Sequence, residues 1–114
     1  MRTSDLSGAA LDWVVTKIEA ERKRFTVYPE YITDYSTDWA RGGPIIEREN
    51  ISVMFSFDLQ TWVSAIGELW VPEEGGIHGP TPLVAAMRCY VASKLGDEVE
   101  IPEELSAHAT PPEG

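Results

Sequence analysis

The chain has 114 residues, enough for one domain that buries a core without disulfide or metal staples, and its composition of 43% hydrophobic and 25% charged residues excludes a disordered protein. A net charge of −10, from 19 acidic against 9 basic residues, disfavours binding to the phosphate backbone of DNA or RNA. The single cysteine, Cys89, excludes an intrachain disulfide, and neither a signal-peptide pattern nor a run of about 18 apolar residues is present. A cytoplasmic protein with no membrane partner is therefore expected.

The first predicted element is a helix over residues 7–24, capped by Ser4 or Ser7, with Leu11, Val14, Val15 and Ile18 recurring at helical spacing to form a core stripe. Ala9, Trp13 and Ala20 gather on the opposite side with Thr16, a second weakly apolar face carrying a large aromatic group. Either another element of the chain covers that face, or it is the contact surface of a homodimer or of a host or phage protein. Residues 25–32 read as a short strand or edge segment, because Pro29 cannot donate to a sheet ladder.

Residues 34–44 are dense in turn formers and lead to a short helix over residues 45–49 with Pro44 near its start. This predicted loop holds the best candidate ligand site: Tyr35, Asp38, Trp39, Arg41, Gly42 and Gly43, with Arg88 from a later helix. Tryptophan offers a stacking face and a donor, arginine a planar fork for carboxylate or phosphate, aspartate an acceptor, and the glycines close backbone approach. The plainer reading makes Asp38 a cap or turn residue, packs Trp39 in the core and pairs Arg41 with a nearby acid. Residues 51–57 alternate, with Ile51, Val53, Phe55 and Phe57 on one face, and a four-residue connection over 58–61 joins them to residues 62–71 as a hairpin. Residues 72–80 read as a flexible loop.

Thr81 then supplies an N-cap oxygen, Pro82 suits the first helical position, and Gly96 suits a left-handed terminus, so the spacing predicts a helix between them. Only Arg88 and Lys94 interrupt its apolar and small residues, which requires burial on more than one side. A buried Arg88 needs a partner, for which Asp12, Asp38 and Glu47 are candidates. Cys89 on this packed surface reads as a structural thiol. Residues 97–102 suggest a brief extended segment, and 105–114 a disordered acidic, proline-rich tail, so a single domain over residues 1–104 is expected.

The order helix, strand, short helix, hairpin, helix predicts an α+β domain, a small mostly antiparallel sheet with helices packed on it, arranged as a three-layer α/β/α sandwich. His78 and His108 lack ligand spacing, and no phosphate cradle, nucleophile elbow or paired-acid arrangement is legible, so neither a metal nor a cofactor is assigned and no enzyme is expected. Three blocks, residues 3–13, 35–49 and 79–102, resemble the NinX-like family of small bacteriophage and prophage proteins. More loosely, the Tyr35-Ser36-Thr37-Asp38 block and the proline-initiated final helix are similar to phage α/β/α sandwich domain proteins. The resemblance implies a phage or prophage origin and no defined activity. The expected function is that of an accessory protein that binds a host, defence or phage protein, with a small-ligand binder or an uncharacterised enzyme as alternatives.

Overall fold

In the computed structural model, residues 1–24, 32–66, 76–102 and 105 are described. A 3-10 turn (Thr3–Asp5) leads into α1 (Gly8–Lys23), followed by α2 (Trp39–Glu49), β1 (Ile51–Ser56), β2 (Thr61–Ile66), β3 (Ile77–Gly79) and α3 (Pro82–Leu95). The strands form an antiparallel sheet in the order β1-β2-β3, with Phe55 opposite Trp62 and Trp62 opposite Gly79. The chain is thus an α+β domain with helices packed on a small antiparallel sheet, as its element order indicates.

The two long helices form where their sequences place them. All four residues of the α1 stripe, Leu11, Val14, Val15 and Ile18, are buried in the core. Thr81 Oγ1 accepts the Val84 N–H at 3.1 Å, Pro82 opens α3, and Gly96 follows it at φ +85°. One side of α3 lies against all three strands and the other against α1 and α2. Gly79 makes the sheet contact possible, since a Cβ there would stand 2.5 Å from the Ala85 nitrogen. Among the described elements the stack therefore runs sheet, α3, α1, and α3 is the inner layer. That position, with apolar neighbours on both sides, is why its surface is apolar almost all round.

Other elements differ from the sequence reading. The expected loop over residues 34–44 is a tight turn followed by α2, which begins six residues earlier than the short helix expected over 45–49. The hairpin forms, but its turn holds residues 57–60, so Phe57 leaves the inner face and is 81% exposed. Within the expected loop of residues 72–80, Ile77–Gly79 pair with β2, because their carbonyl and amide groups complete the ladder of an otherwise two-stranded hairpin. The expected strand over 25–32 falls almost wholly outside the described residues.

The extended segment after α3 closes the domain against the beginning of the chain. Met1 and Val99 exchange backbone hydrogen bonds of 2.8 and 2.9 Å, and the Thr3 N–H donates to the Asp97 carbonyl at 2.7 Å. Val99 is buried, and Leu105 packs on the core from beyond the expected domain boundary at residue 104. Residues 106–114 lie outside the described residues.

Candidate functional site

The start of α2 is built by its own sequence. Asp38 Oδ1 accepts the Ala40 N–H at 3.0 Å, capping the helix, and Trp39, Arg41, Gly42 and Gly43 are therefore helical and not looped. Gly42 is required by packing: a Cβ there would lie 2.6 Å from both Leu83 Cδ1 and the Tyr35 carbonyl oxygen. This glycine brings α2 onto α3, and the space it leaves is filled by Leu83 and not open to a ligand. A Cβ at Gly43 would meet nothing within 4 Å, and Arg41 is exposed. Tyr35 is half-buried; burial, followed by the Glu19 charge, pushes its phenol up.

Arg88 does not join this group. Its Nε donates to the Leu6 carbonyl at 2.7 Å and its Nη1 to the His78 carbonyl at 3.0 Å, tying the N-terminal turn and β3 to α3. The expected partners Asp12, Asp38 and Glu47 are engaged elsewhere or lie apart from it. Asp12 accepts the Ser36 N–H at 2.8 Å, and burial raises its carboxyl above the ordinary range.

The second face of α1 is largely covered by the chain itself. Ala20 is 1% exposed, so it belongs to the interior and to no interface, and Thr16 Oγ1 accepts the Thr33 N–H at 3.1 Å. Ala9 and Trp13 are half-buried. Trp13 packs on the core cluster and lines a groove of about 260 Å³ with Leu95 and Val99, with the Lys17 ammonium 5.2 Å from the centre of its ring.

Two features were missed from sequence. The first is an ionic network across three helices. Arg48 donates to both oxygens of Glu19, at 3.1 and 2.7 Å, and to Tyr90 Oη at 3.0 Å, while Tyr90 donates to Glu19 at 2.5 Å and Arg22 lies 3.4 Å away. Glu19 is only 2% exposed. Burial alone would raise its carboxyl, but the hydrogen bonds from Arg48 and Tyr90 and the charges of Arg48 and Arg22 outweigh it and hold the carboxyl below the usual range. A signal was present: Glu19 follows Ile18 and stands four residues after Val15, beside the apolar stripe, where an ionised acid needs a partner.

The second is an apolar end of the domain. Gly42 rests on Leu83 at the start of α3, and Thr61, just after the hairpin turn, donates through Oγ1 to the Gly79 carbonyl at 2.9 Å. The starts of α2 and α3 and the hairpin turn are thereby gathered at one end. There Phe57 is 81% exposed, Leu59 60% and Trp39 54%, with Met54 at 61% on the outer face of β1. Phe55 supports Phe57 edge-on, with ring centroids 5.1 Å apart. The signal was a turn containing Phe and Leu where polar turn formers predominate.

Cys89 is buried on α3, and burial pushes its thiol up, as suits a packing residue and not a nucleophile. Among the described residues no three His, Cys, Asp or Glu side chains converge to hold a metal, and no helix is long and apolar enough to cross a membrane. No curated protein matches the chain. The family described as "Bacteriophage P22, NinX" matches residues 2–94, a span that takes in α1, α2, the whole sheet and nearly all of α3. The chain belongs to this NinX family of phage proteins.

Proposed function

We propose that the chain is a phage or prophage accessory protein that acts by binding another protein of the host cell or the phage, in the cytoplasm, and not by catalysis. The observation that carries this reading is the exposure of Phe57, Leu59, Met54 and Trp39, three of them gathered at one end of the domain. Large apolar side chains exposed together leave area uncovered that a partner would remove from water, at about 25 cal/mol per Å². A phenylalanine buries at least ~150 Å², so four such side chains amount to a few hundred Å², less than the ~800 Å² per subunit that stable dimers bury. The patch suits insertion into a pocket better than face-to-face pairing of two copies. Asp38 and Asp58 flank it, and the whole chain carries −10, so the pocket expected on the partner is apolar with a basic rim.

A photo-crosslinking phenylalanine analogue at position 57, introduced in infected cells, tests the proposal. The expected result is a discrete adduct with one basic-rimmed protein, lost when Leu59→Ser accompanies the analogue at position 57 in a chain that remains folded by circular dichroism, since neither side chain is in the core. No adduct, adducts unaffected by the Leu59→Ser change, or an adduct only with a second copy of the chain would each overturn it.

A further inference from the structure

The guanidinium of Arg88 is half-buried, and its hydrogen-bond partners are two backbone carbonyls; Asp5 acts on it through its charge but, among the described residues, no carboxylate reaches it within salt-bridge distance. Carbonyl dipoles satisfy two of its five N–H groups without neutralising its charge; Nη2 donates to no described residue. That unengaged edge of the fork is not sealed from water and is available to an anion. Arg88 also lines a cleft of about 310 Å³ between the N-terminal turn, β3 and α3, at the lower end of the size range of small-molecule sites. Arg2 adds a second cation to the wall, Ser4 and His78 add polar groups, and Asp97 adds a single acid.

We propose that this cleft binds a small molecule bearing a carboxylate or phosphate group, received by the Arg88 fork with Arg2 as the second cation. A planar guanidinium matches the paired oxygens of either group. Asp97 repels a bare anion at its edge of the cleft and so selects a ligand that offers a hydroxyl there. The site is separate from the apolar end and does not depend on the protein-binding proposal.

The test is a titration of the isotope-labelled full chain, followed by amide resonances, with inorganic phosphate, succinate and malate, and with sodium chloride at matched ionic strength as control. Saturable shifts centred on Thr3, Ser4, His78 and Asp97 are expected with phosphate or with the dicarboxylates, and the tighter probe identifies the anionic group. Malate should bind more tightly than succinate, its hydroxyl donating to Asp97; equal affinity would overturn the role given to Asp97. Arg2→Ala should weaken binding about fivefold, the effect of one partly exposed charge, and Lys23→Ala, at the end of α1, should leave it unchanged. Arg88→Lys should weaken it by more than about tenfold through loss of the fork, and if that variant unfolds the Arg2→Ala comparison decides alone. Shifts that follow ionic strength without saturating, or saturable binding indifferent to Arg2→Ala, would show that Arg88 is only a clamp on the two carbonyls.

Discussion

Replacing Arg48 by Met should destabilise the domain sharply, because it strands the Glu19 carboxylate. Glu19 is 2% exposed and receives two of its hydrogen bonds from Arg48; the methionine keeps the aliphatic stem and removes both donors. Breaking a buried ion pair from one side costs about 3 to 5 kcal/mol. The Arg48 side chain is 31% exposed, so water reaches part of the pair and ~2 to 4 kcal/mol is expected. At about 4 °C per kcal/mol for a chain of this size, Tm should fall by ~8 to 16 °C. The sign of the pH dependence gives a second check. In the native chain the Glu19 carboxyl is held below its ordinary value, so its contribution is complete above about pH 4.3 and is lost as the pH falls through the lowered native value. Without Arg48, burial becomes the dominant influence and raises the carboxyl, so protonation on acidification relieves the variant. Urea unfolding of both proteins at pH 7 and pH 4 should show the stability gap narrowing at the lower pH. A loss under about 1 kcal/mol at pH 7, or an equal loss at both pH values, would refute the reasoning.

Gly42→Ala should destabilise by about 1 to 3 kcal/mol in chemical unfolding, although alanine is the better helix former by about 1 kcal/mol, because the new methyl meets Leu83 and the Tyr35 carbonyl at 2.6 Å. Thr81→Ala should cost about 0.5 to 2 kcal/mol by freeing the Val84 N–H at the start of α3, a loss that Thr81→Ser should largely restore. Asp12→Asn, which keeps an acceptor for the Ser36 N–H, should stay within about 1 kcal/mol of the native chain at pH 7, whereas Asp12→Ala should cost about 1 to 3 kcal/mol. Burial raises the Asp12 carboxyl, so its contribution declines as the pH rises through the native value, and stability curves of the Asn variant should lack that decline.

The parts of the fold legible in sequence are those governed by local rules. Thr81, Pro82 and Gly96 mark both ends of α3 by cap chemistry, and the spacing of Leu11, Val14, Val15 and Ile18 sets the inner side of α1. Where tertiary contacts override local preference, the sequence misleads. Gly42, Gly43 and Pro44 read as a loop, yet all three lie in α2, and the residue at 42 is glycine because Leu83 leaves no room for a side chain. Ile77–Gly79 are too short to announce a strand, and only the free edge of β2 makes them one. The candidate ligand residues scattered for the same reason: Arg88 found backbone carbonyls, which no residue pattern encodes, and so parted from Trp39 and Arg41.

Between the Met1–Val99 and Thr3–Asp97 hydrogen bonds, Arg2 pairs with Glu98 in an isolated antiparallel bridge, and that junction bears on how the domain assembles. It joins positions 96 residues apart, and closing a loop of that length from an unfolded chain costs about 4 kcal/mol of configurational entropy on a logarithmic scale. So short a contact cannot offset that alone; the hairpin and the packing of α3 on the sheet must first bring residues 97–99 near the beginning of the chain. Arg2, Thr3 and Asp97, which meet at this junction, also frame the Arg88 cleft. The cleft should consequently be among the last structures to form in refolding and among the first to exchange its amide hydrogens in the native state, and an anion held there would fasten the N-terminal turn to the segment that follows α3.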